Sequence, residues 1–276
     1  MEKQKFSVSM CVYGKDRPDW FRQATDSVLH QTCPPDEVVL VVDGPVPPAL
    51  DDVIREYEAM PQFHVIRFAE NQGHGNARRA GLEACTNELV ALMDADDICV
   101  PDRFEKQLAV FEKDPALSIV GGNIAEFIES PNTPTCYRRV PCEDVQIKAY
   151  MKKRCPFNQM SVMFQKNDVQ SVGGYIDWYC DEDYYLWLRM AQAGMKFANV
   201  DENLVNVRVG KEMYQRRGGW KYFKSEAKLQ KYMKQHKIIG FGTYCMNIIK
   251  RLIVQVLLPH KLRGWVFKKF ARKSVT

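Results

Sequence analysis

The first half of the chain alternates short apolar runs with segments of helical pattern, and this alternation limits the fold more than any other feature. Strands are predicted at Phe6–Val12, Glu37–Val42, His64–Phe68, Leu89–Met93 and Leu117–Gly121. Helices are predicted between them, at Trp20–Gln31, Leu50–Met60, Gly75–Cys85 and Asp102–Lys113. The apolar runs lack a polar–apolar alternation, which is typical of strands buried on both faces. The sequence therefore predicts an α/β fold with a mainly parallel sheet between helices.

The second half is less regular. Ser130–Pro141 contains three prolines and is predicted as a loop, Met160–Gln165 as a strand, and Asp183–Ala193 as a helix that Gly194 ends. The chain has 276 residues, 46% apolar and 26% charged, which suits one large globular domain or two small ones.

The nine cysteines are scattered and never form a C-x-x-C motif. The N-terminus leads directly into a strand-like run, without the apolar segment of a secretory signal. Both features favour a reduced, cytoplasmic protein whose cysteines serve packing rather than disulfides or metal–thiolate binding.

The run Leu89–Asp97 is an apolar strand that ends in Asp94, Asp96 and Asp97. Asp94 and Asp96 are two residues apart, so on extended backbone their side chains project to the same side. Such a pair repels unless a positive charge lies between them, and Mg²⁺ is often shared by one or two carboxylates and substrate phosphates. The run predicts a metal–diphosphate site at the sheet edge. An acidic turn capping the next helix is the structural alternative.

Two further segments are expected at the same edge. Asp43 ends a valine-rich strand before Gly44-Pro45 and is interpreted either as an acceptor for a base or ribose, or as a turn-forming aspartate. Asn71–Arg79 opens a helix with glycines that permit close backbone approach, and Arg78 is a candidate partner for phosphate or base. A surface arginine is the competing interpretation. The segment lacks G-x-G-x-x-G, so a dinucleotide fold is not predicted.

Asp181, Glu182 and Asp183 open a predicted helix. The helix dipole favours acidic residues there for structural reasons alone. Three acids on a chain with a predicted phosphate and metal edge suggest in addition a general base, because a sugar hydroxyl becomes a good nucleophile only as its proton is removed.

Charge is divided unevenly along the chain. No acidic residue follows Glu226, whereas twelve lysines and arginines do; subtracting these from totals of 39 basic and 34 acidic residues leaves 27 basic and 34 acidic, a net charge of −7 for residues 1–226. An acidic body with a basic tail predicts different partners for the two parts.

The tail has two amphipathic segments. In Tyr244–Leu258 the polar positions fall on one side of a helix, at Asn247, Lys250, Arg251 and Gln255. After Pro259 a second segment has an apolar face, formed by Leu262, Trp265, Val266 and Phe270. Basic amphipathic helices suit an anionic membrane surface. Packing on the domain and a nucleic-acid patch are the alternatives.

Several ordered motifs resemble the family 2 glycosyltransferases with the GT-A fold, over about residues 6–225. They are Ser7–Tyr13 with Ser27–Thr32, Val41–Gly44, Asn71–Gly73 with Ala77, Arg78 and Gly81, Met93–Asp97, and Glu182–Tyr184 with Leu186–Arg189. Two further stretches, Cys155–Phe164 and Met213–Trp220, resemble the bacterial branch that builds O-antigens, capsules and exopolysaccharides. Where the family often has a second carboxylate, this chain has Gly44, and Arg79 stands where the family often has Asn.

The resemblance implies an inverting hexosyltransferase that uses a nucleoside-diphosphate sugar, with UDP-sugar preferred, and a lipid-linked glycan acceptor. It implies a GT-A domain over 1–225, with a nucleotide-binding half at about 1–122 and an acceptor half at about 123–225, and a basic helical tail at 226–276. The tail would place the enzyme in the cytoplasm on the inner face of the membrane.

The resemblance also implies roles for individual residues. Asp43 would contact the nucleoside, Arg78 would support the nucleotide pocket, and Asp94 would touch ribose or metal. Asp96, with Asp94, would hold Mg²⁺ or Mn²⁺. Asp183 would be the base, and Glu182 beside it would bind substrate.

Three polar residues are predicted to complete the substrate site. Asn158 would shape the acceptor side. Arg216 and Arg217 would close over the diphosphate as a lid, or form a solvated basic turn.

Two rival functions remain open at this point. A sugar nucleotidyltransferase also uses an acidic metal site on an α/β sheet, but Tyr13–Pro18 is a faint match to the basic, glycine-rich loop it needs. A nucleic-acid-binding module would use the basic tail, against the net negative body.

Overall fold

The computed structural model describes residues 4–210, 218–259 and 272–274. Ten strands are described: β1 (Phe6–Tyr13), β2 (Glu37–Asp43), β3 (Phe63–Arg67), β4 (Leu89–Asp94), β5 (Ile98–Cys99), β6 (Leu117–Phe127), β7 (Cys136–Arg138), β8 (Met163–Gln165), β9 (Lys196–Arg208) and β10 (Lys273–Ser274). The described α-helices are α1 (Pro18–Leu29), α2 (Pro48–Glu58), α3 (His74–Ala84), α4 (Arg103–Lys113), α5 (Asp144–Met151), α6 (Lys166–Ser171), α7 (Glu182–Gln192), α8 (Trp220–Gln235) and α9 (Phe241–Arg251). A 3₁₀ turn lies at Gln159–Ser161 and a π-helical turn at Leu252–Leu257.

The strands form one mixed sheet in the order β10-β7-β6-β8-β4-β1-β2-β3, with β9 pairing β5 and β6. The β4-β1-β2-β3 part is parallel, and β8 runs antiparallel between β4 and β6. A parallel sheet flanked by helices in the first half is what the alternating pattern predicts.

Strand register brings the predicted site residues to one edge. In the central strand β1, Cys11 is opposite Asp94 of β4, and Tyr13 is opposite Asp43 of β2. Both carboxylates therefore end strands that flank β1 and point to the same edge, where open α/β sheets bind ligands.

The second half differs from its prediction in three places. β7 lies inside the stretch Ser130–Pro141 that was expected to be loop, because Cys136–Arg138 pairs with β6. β6 itself continues to Phe127, well beyond Gly121, and is buried along its whole length. α5, α6, β9 and β10 have no counterpart among the predicted elements.

The C-terminal helices pack into the body of the protein. Leu229 and Met233 of α8, with Ile239, join a buried cluster that contains Trp187 and Leu188 of α7. α8 begins at Trp220, and the described part of the predicted tail packs in the same buried cluster as α7.

α9 and the π-helical turn after it form the predicted amphipathic segment, but its polar positions Asn247, Arg251 and Gln255 face inward, while Lys250 is exposed. Asn247 and Gln255 are each 5% exposed, whereas Ile249 and Ile253 are 56% and 44% exposed. The Asn247 amide is satisfied inside, donating to the carbonyl of Lys152 at 3.0 Å and to Oε1 of Gln230 at 2.8 Å. The second predicted amphipathic segment, after Pro259, lies outside the described residues.

Across the described ranges, no helix combines the length and apolar character required to span a bilayer.

Candidate active site

Arg78 links the ends of strands β1 and β4. Its side chain is 1% exposed and forms an ion pair with the Asp94 carboxylate through Nη2. Nη1 donates to the carbonyls of Ser9 at 3.3 Å and Met93 at 3.4 Å. A buried guanidinium needs such partners to offset desolvation. The structure therefore rules out the interpretation of Arg78 as a surface arginine. Its guanidinium group lies at the ends of β1 and β4.

His74 extends this network to helix α7. Arg78 Nε donates to His74 Nε2 at 3.2 Å, and His74 Nδ1 lies 2.9 Å from Oε1 of Glu182. Because Nε2 accepts a hydrogen bond, the neutral imidazole carries its proton on Nδ1 and donates it to Glu182. A continuous chain of contacts thus joins Asp94 to the beginning of α7.

Asp43 organises the loop that begins α3. Its carboxylate accepts hydrogen bonds from the Gln72 amide at 2.7 Å, the Gly73 amide at 3.1 Å and Asn71 Nδ2 at 2.9 Å. The carboxylate is buried and hydrogen-bonded to residues 71–73, so it fixes the position of this loop.

Gly44 explains one departure from the family pattern. Its φ is +87°, and a Cβ there would lie 2.6 Å from the Asn71 amide nitrogen. A side chain is therefore excluded both by backbone conformation and by the loop that Asp43 holds.

Four carboxylates shape the potential beyond β4. Burial, together with the charges of Asp96 and Asp94, raises the pKa of Asp16 to about 7. Burial and the same two charges raise the pKa of Asp97 well above its usual range. The Asp97 carboxylate accepts the Arg208 amide at 2.9 Å, which ties the end of β9 to the motif.

The carboxylates of Asp94 and Asp96 suit a metal cation that is shared with the phosphate groups of a ligand. Within the described ranges, no group of three or more His, Cys, Asp or Glu side chains has the arrangement of a metal site. A substrate-bound Mg²⁺ needs only one or two protein carboxylates. Asp94 is partly exposed, with Oδ1 engaged by Arg78, and Asp96 is partly exposed beside it. These two fit that role.

Asp183 lies in the first turn of α7 beside Glu182. Its Oδ1 accepts the Tyr184 amide at 2.6 Å, and its Oδ2 lies 3.8 Å from the Cys155 thiol. Burial and the neighbouring Glu182 charge raise the pKa of Asp183 to about 6. A carboxylate with such a pKa is ionised at neutral pH and accepts a proton more readily than an ordinary aspartate.

A single cavity of about 540 Å³ joins these elements. Asp94, Glu182 and Asp183 line one part of it, and residues of α8, α9 and the π-helical turn line another. Asp94 at the strand edge and the start of α7 thus line the same space, whereas Asp43, Arg78 and Asp96 are not among its lining residues.

Three predicted site residues lie elsewhere or outside the described residues. Asn158 is fully buried, and its amide donates to the Gly122 carbonyl at 2.8 Å, so it braces the chain before the Gln159–Ser161 turn. Arg216 and Arg217 lie outside the described residues.

Sequence reasoning missed His74, Asp16 and the cavity residues of the C-terminal helices. His74 and Glu182 are 108 positions apart, so no local pattern links them. The polar spacing of Lys250, Arg251 and Gln255 was visible, but spacing alone does not tell which face of a helix is inward.

Comparison with known proteins decides the family. The family model described as Glycosyl transferase family 2 matches residues 7–172. The chain belongs to this family. The match confirms the resemblance drawn from the motifs, and it decides between the two enzyme classes in favour of a glycosyltransferase.

Two relatives match nearly end to end. The amylovoran biosynthesis glycosyltransferase AmsE of Erwinia amylovora is 36% identical over 264 residues, covering 96% of this chain and 98% of the relative. An Escherichia coli UDP-Gal:alpha-D-GlcNAc-diphosphoundecaprenol beta-1,3-galactosyltransferase is 36% identical over 269 residues, covering 98% and 97%.

The fold is shared with a solved glycosyltransferase. The mannosyltransferase PcManGT from Pyrobaculum calidifontis, in complex with GDP-Man and Mn²⁺, superposes with a TM-score of 0.63 at 16% identity, covering 98% of this chain and 76% of that one. The likeness confirms the predicted GT-A fold of this family 2 enzyme.

Proposed function

We propose that this family 2 enzyme is an inverting hexosyltransferase of bacterial surface polysaccharide biosynthesis. In this proposal it moves a sugar from a nucleoside-diphosphate donor, most simply a UDP-sugar, to a hydroxyl of a lipid-linked glycan. One observation carries the proposal: Asp94 of the strand edge and Asp183 of α7 line the same cavity. The relatives named for amylovoran and for a diphosphoundecaprenol-linked acceptor support the substrate class.

Asp183 is the proposed base. The acceptor oxygen forms a bond to the anomeric carbon, the bond from that carbon to the phosphate oxygen breaks, and the nucleoside diphosphate leaves with the electron pair. The hydroxyl proton passes to the Asp183 carboxylate. Attack opposite the leaving group inverts the anomeric centre.

Asp96 and Asp94 are the proposed holders of Mg²⁺ or Mn²⁺. The ion would act as a Lewis acid that stabilises charge on the leaving diphosphate. Arg78 keeps Asp94 in place through their ion pair. The charges of Asp94 and Asp96, which add to the effect of burial in raising the pKa of Asp16, favour a cation at this edge. The Mn²⁺ in the PcManGT complex supports this assignment.

The outer face of the C-terminal helices is the proposed membrane contact. Met246, Ile249, Ile253 and Leu257 are exposed at helical spacing, and no acidic residue follows Glu226. An apolar stripe on a basic segment suits an anionic membrane surface, where a lipid-linked acceptor is presented. Such a contact supports a location on the inner face of the membrane.

A transfer assay tests the proposal. The purified chain is incubated with a panel of radiolabelled nucleotide sugars and a sugar linked through a diphosphate to a lipid chain, with Mn²⁺ or with EDTA. We expect one donor to yield a lengthened acceptor and free nucleoside diphosphate, with loss of product in EDTA. No lengthened acceptor with any donor would refute the function. Undiminished product in EDTA would refute the metal role alone.

A further inference from the structure

The three acids at the beginning of α7 separate two networks. Glu182 contacts His74 and, through it, the Arg78–Asp94 pair on the donor side. Asp181 faces the other way, where its carboxylate accepts the Ser225 hydroxyl of α8 at 3.0 Å. The proposed base therefore lies between the strand edge and a wall built by the C-terminal helices.

That wall is held rigidly near the base. Arg251 of α9 pairs with Glu226 of α8, and both side chains are 12% exposed. Arg251 Nη2 also donates to the carbonyl of Lys153 at 3.3 Å. These contacts fix α9 against the segment that follows α5, so the cavity has a defined surface on this side.

Two lysines on this wall, Lys153 and Lys250, form no ion pair among the described residues. Lys153 and Lys250 line the cavity with exposed side chains, and within the described ranges neither ammonium group has an ion-pair partner. Arg154 lines the same region. Exposed lysines usually project into solvent, whereas these two come from separate elements and converge on one cavity.

Gln255 supplies an independent observation. It lines the same cavity and is 5% exposed, yet its side-chain Oε1 has no hydrogen-bond partner among residues 4–210, 218–259 and 272–274. A buried carbonyl oxygen without a donor costs free energy, and π-helical turns such as the one that carries Gln255 are frequent at functional sites. A ligand hydroxyl or amide in the cavity would satisfy this oxygen.

The same helix also connects the cavity to the exposed apolar stripe. Lys250 lines the cavity while its neighbour Ile249 is exposed, and Val254 lines the cavity while Ile253 is exposed. A ligand with a polar head in the cavity and a hydrocarbon chain beside the stripe fits both faces.

We infer that Lys153 and Lys250 bind the phosphate groups of the acceptor, and that Gln255 contacts a sugar between those phosphates and the base. The inference rests on the proposed function, whose acceptor it specifies as a sugar with a phosphate or diphosphate on its reducing end. Lysine ammonium groups bind phosphate as point charges. Because Lys153, Lys250 and Asp183 line one cavity, a sugar joined to those phosphates shares the space of the proposed base.

The test compares two acceptors that share the sugar and the alkyl chain. One joins them through a diphosphate and the other through a plain glycosidic bond. For the wild type we expect a clear preference for the diphosphate acceptor in kcat/KM. The double variant K153A/K250A should lose about tenfold of that preference, through KM for the diphosphate acceptor, with an unchanged donor KM. K153R/K250R should retain most of it.

The control variant is K224A/K231A, which removes two exposed lysines of α8 outside the cavity. It should leave the preference unchanged, and thermal melting verifies that all variants fold. Equal kcat/KM of the wild type for both acceptors, a loss shared equally by both acceptors, or a rise in donor KM would overturn the inference. A wild type that transfers to neither acceptor would instead overturn the proposed function, and the inference with it.

Discussion

His74 Nδ1 lies 2.9 Å from Glu182 Oε1, and this contact links the edge of the sheet where β1 and β4 end to the helix that carries the proposed base. On its other side, Nε2 of the same imidazole accepts a hydrogen bond from Nε of Arg78. The ring thus bridges a buried guanidinium and a buried carboxylate, and its position decides how α7 meets the strand edge.

The variant His74→Gln tests this bridge. Without the ring, Glu182 and Arg78 Nε each lose a partner, and leaving such buried groups unsatisfied costs about 1–3 kcal/mol. We expect kcat/KM for sugar transfer to fall about ten- to hundredfold. His64→Gln, at an exposed position of β3, is the control and should stay near wild type. A His74 variant as active as that control would contradict the linking role.

Asp183→Asn removes the proposed base while keeping its size. We expect transfer to fall by at least about a hundredfold, since general-base catalysis contributes that much, and donor binding by calorimetry to remain. Asp52→Asn, at an exposed carboxylate of α2, controls for loss of charge. Retained turnover would move the base to Glu182 or Asp181.

The pH dependence follows from the pKa of Asp183, about 6. The base acts as a carboxylate, so kcat/KM should be level at neutral pH and fall about tenfold per pH unit below about 6. Because the charge of Glu182 raises this pKa, Glu182→Gln should move the acidic limb to lower pH. A limb that stays in place or moves upward in this variant would contradict the assignment.

Gly44→Ala should damage the donor loop. Its φ of +87° strains any side chain, and the Cβ would meet the Asn71 backbone. Gly194→Ala is the matched control, with a φ of +82° and open space around it, and should lower the free energy of unfolding by about 1–2 kcal/mol from backbone strain alone. We expect a larger loss for Gly44→Ala, together with weakened donor binding, measured by denaturant unfolding and calorimetry. Equal losses would show that the Asn71 contact is unimportant.

Ile249→Glu combined with Ile253→Glu tests the membrane face. Each exposed isoleucine should contribute about 1.5 kcal/mol or more on entering an apolar phase, so sedimentation with anionic vesicles should fall at least about tenfold. The control replaces Ile128 and Val145, which are also exposed, with Glu. Vesicle binding that survives the first change, or binding to DNA but not vesicles, would count against a membrane contact.

Much of the parallel half was predictable from sequence. The strand ends at Asp43 and Asp94 agree with the observed β2 and β4 within a residue, because buried parallel strands leave long apolar runs and sharp polar ends. Their meeting at one edge follows from parallel topology alone.

The second half of the chain was not predictable in the same way. β9 alternates irregularly, and its pairing with β6 shifts register near Asn123, so no simple period marks it. The sequence predicts that α9 has a polar face, but it does not predict that Asn247 on this face is buried. The hydrogen-bond partners of Asn247, Lys152 and Gln230, come from distant segments of the chain.

The inward polar face of α9 has a consequence for how such enzymes diversify. The region matched by the family model ends at residue 172, whereas the second wall of the cavity comes from residues near 250. If the acceptor binds as inferred above, exchanging the segment from Trp220 onward between relatives should change the choice of acceptor, provided that the exchanged helices keep the packing of Leu229 and Met233 in the cluster that contains Trp187.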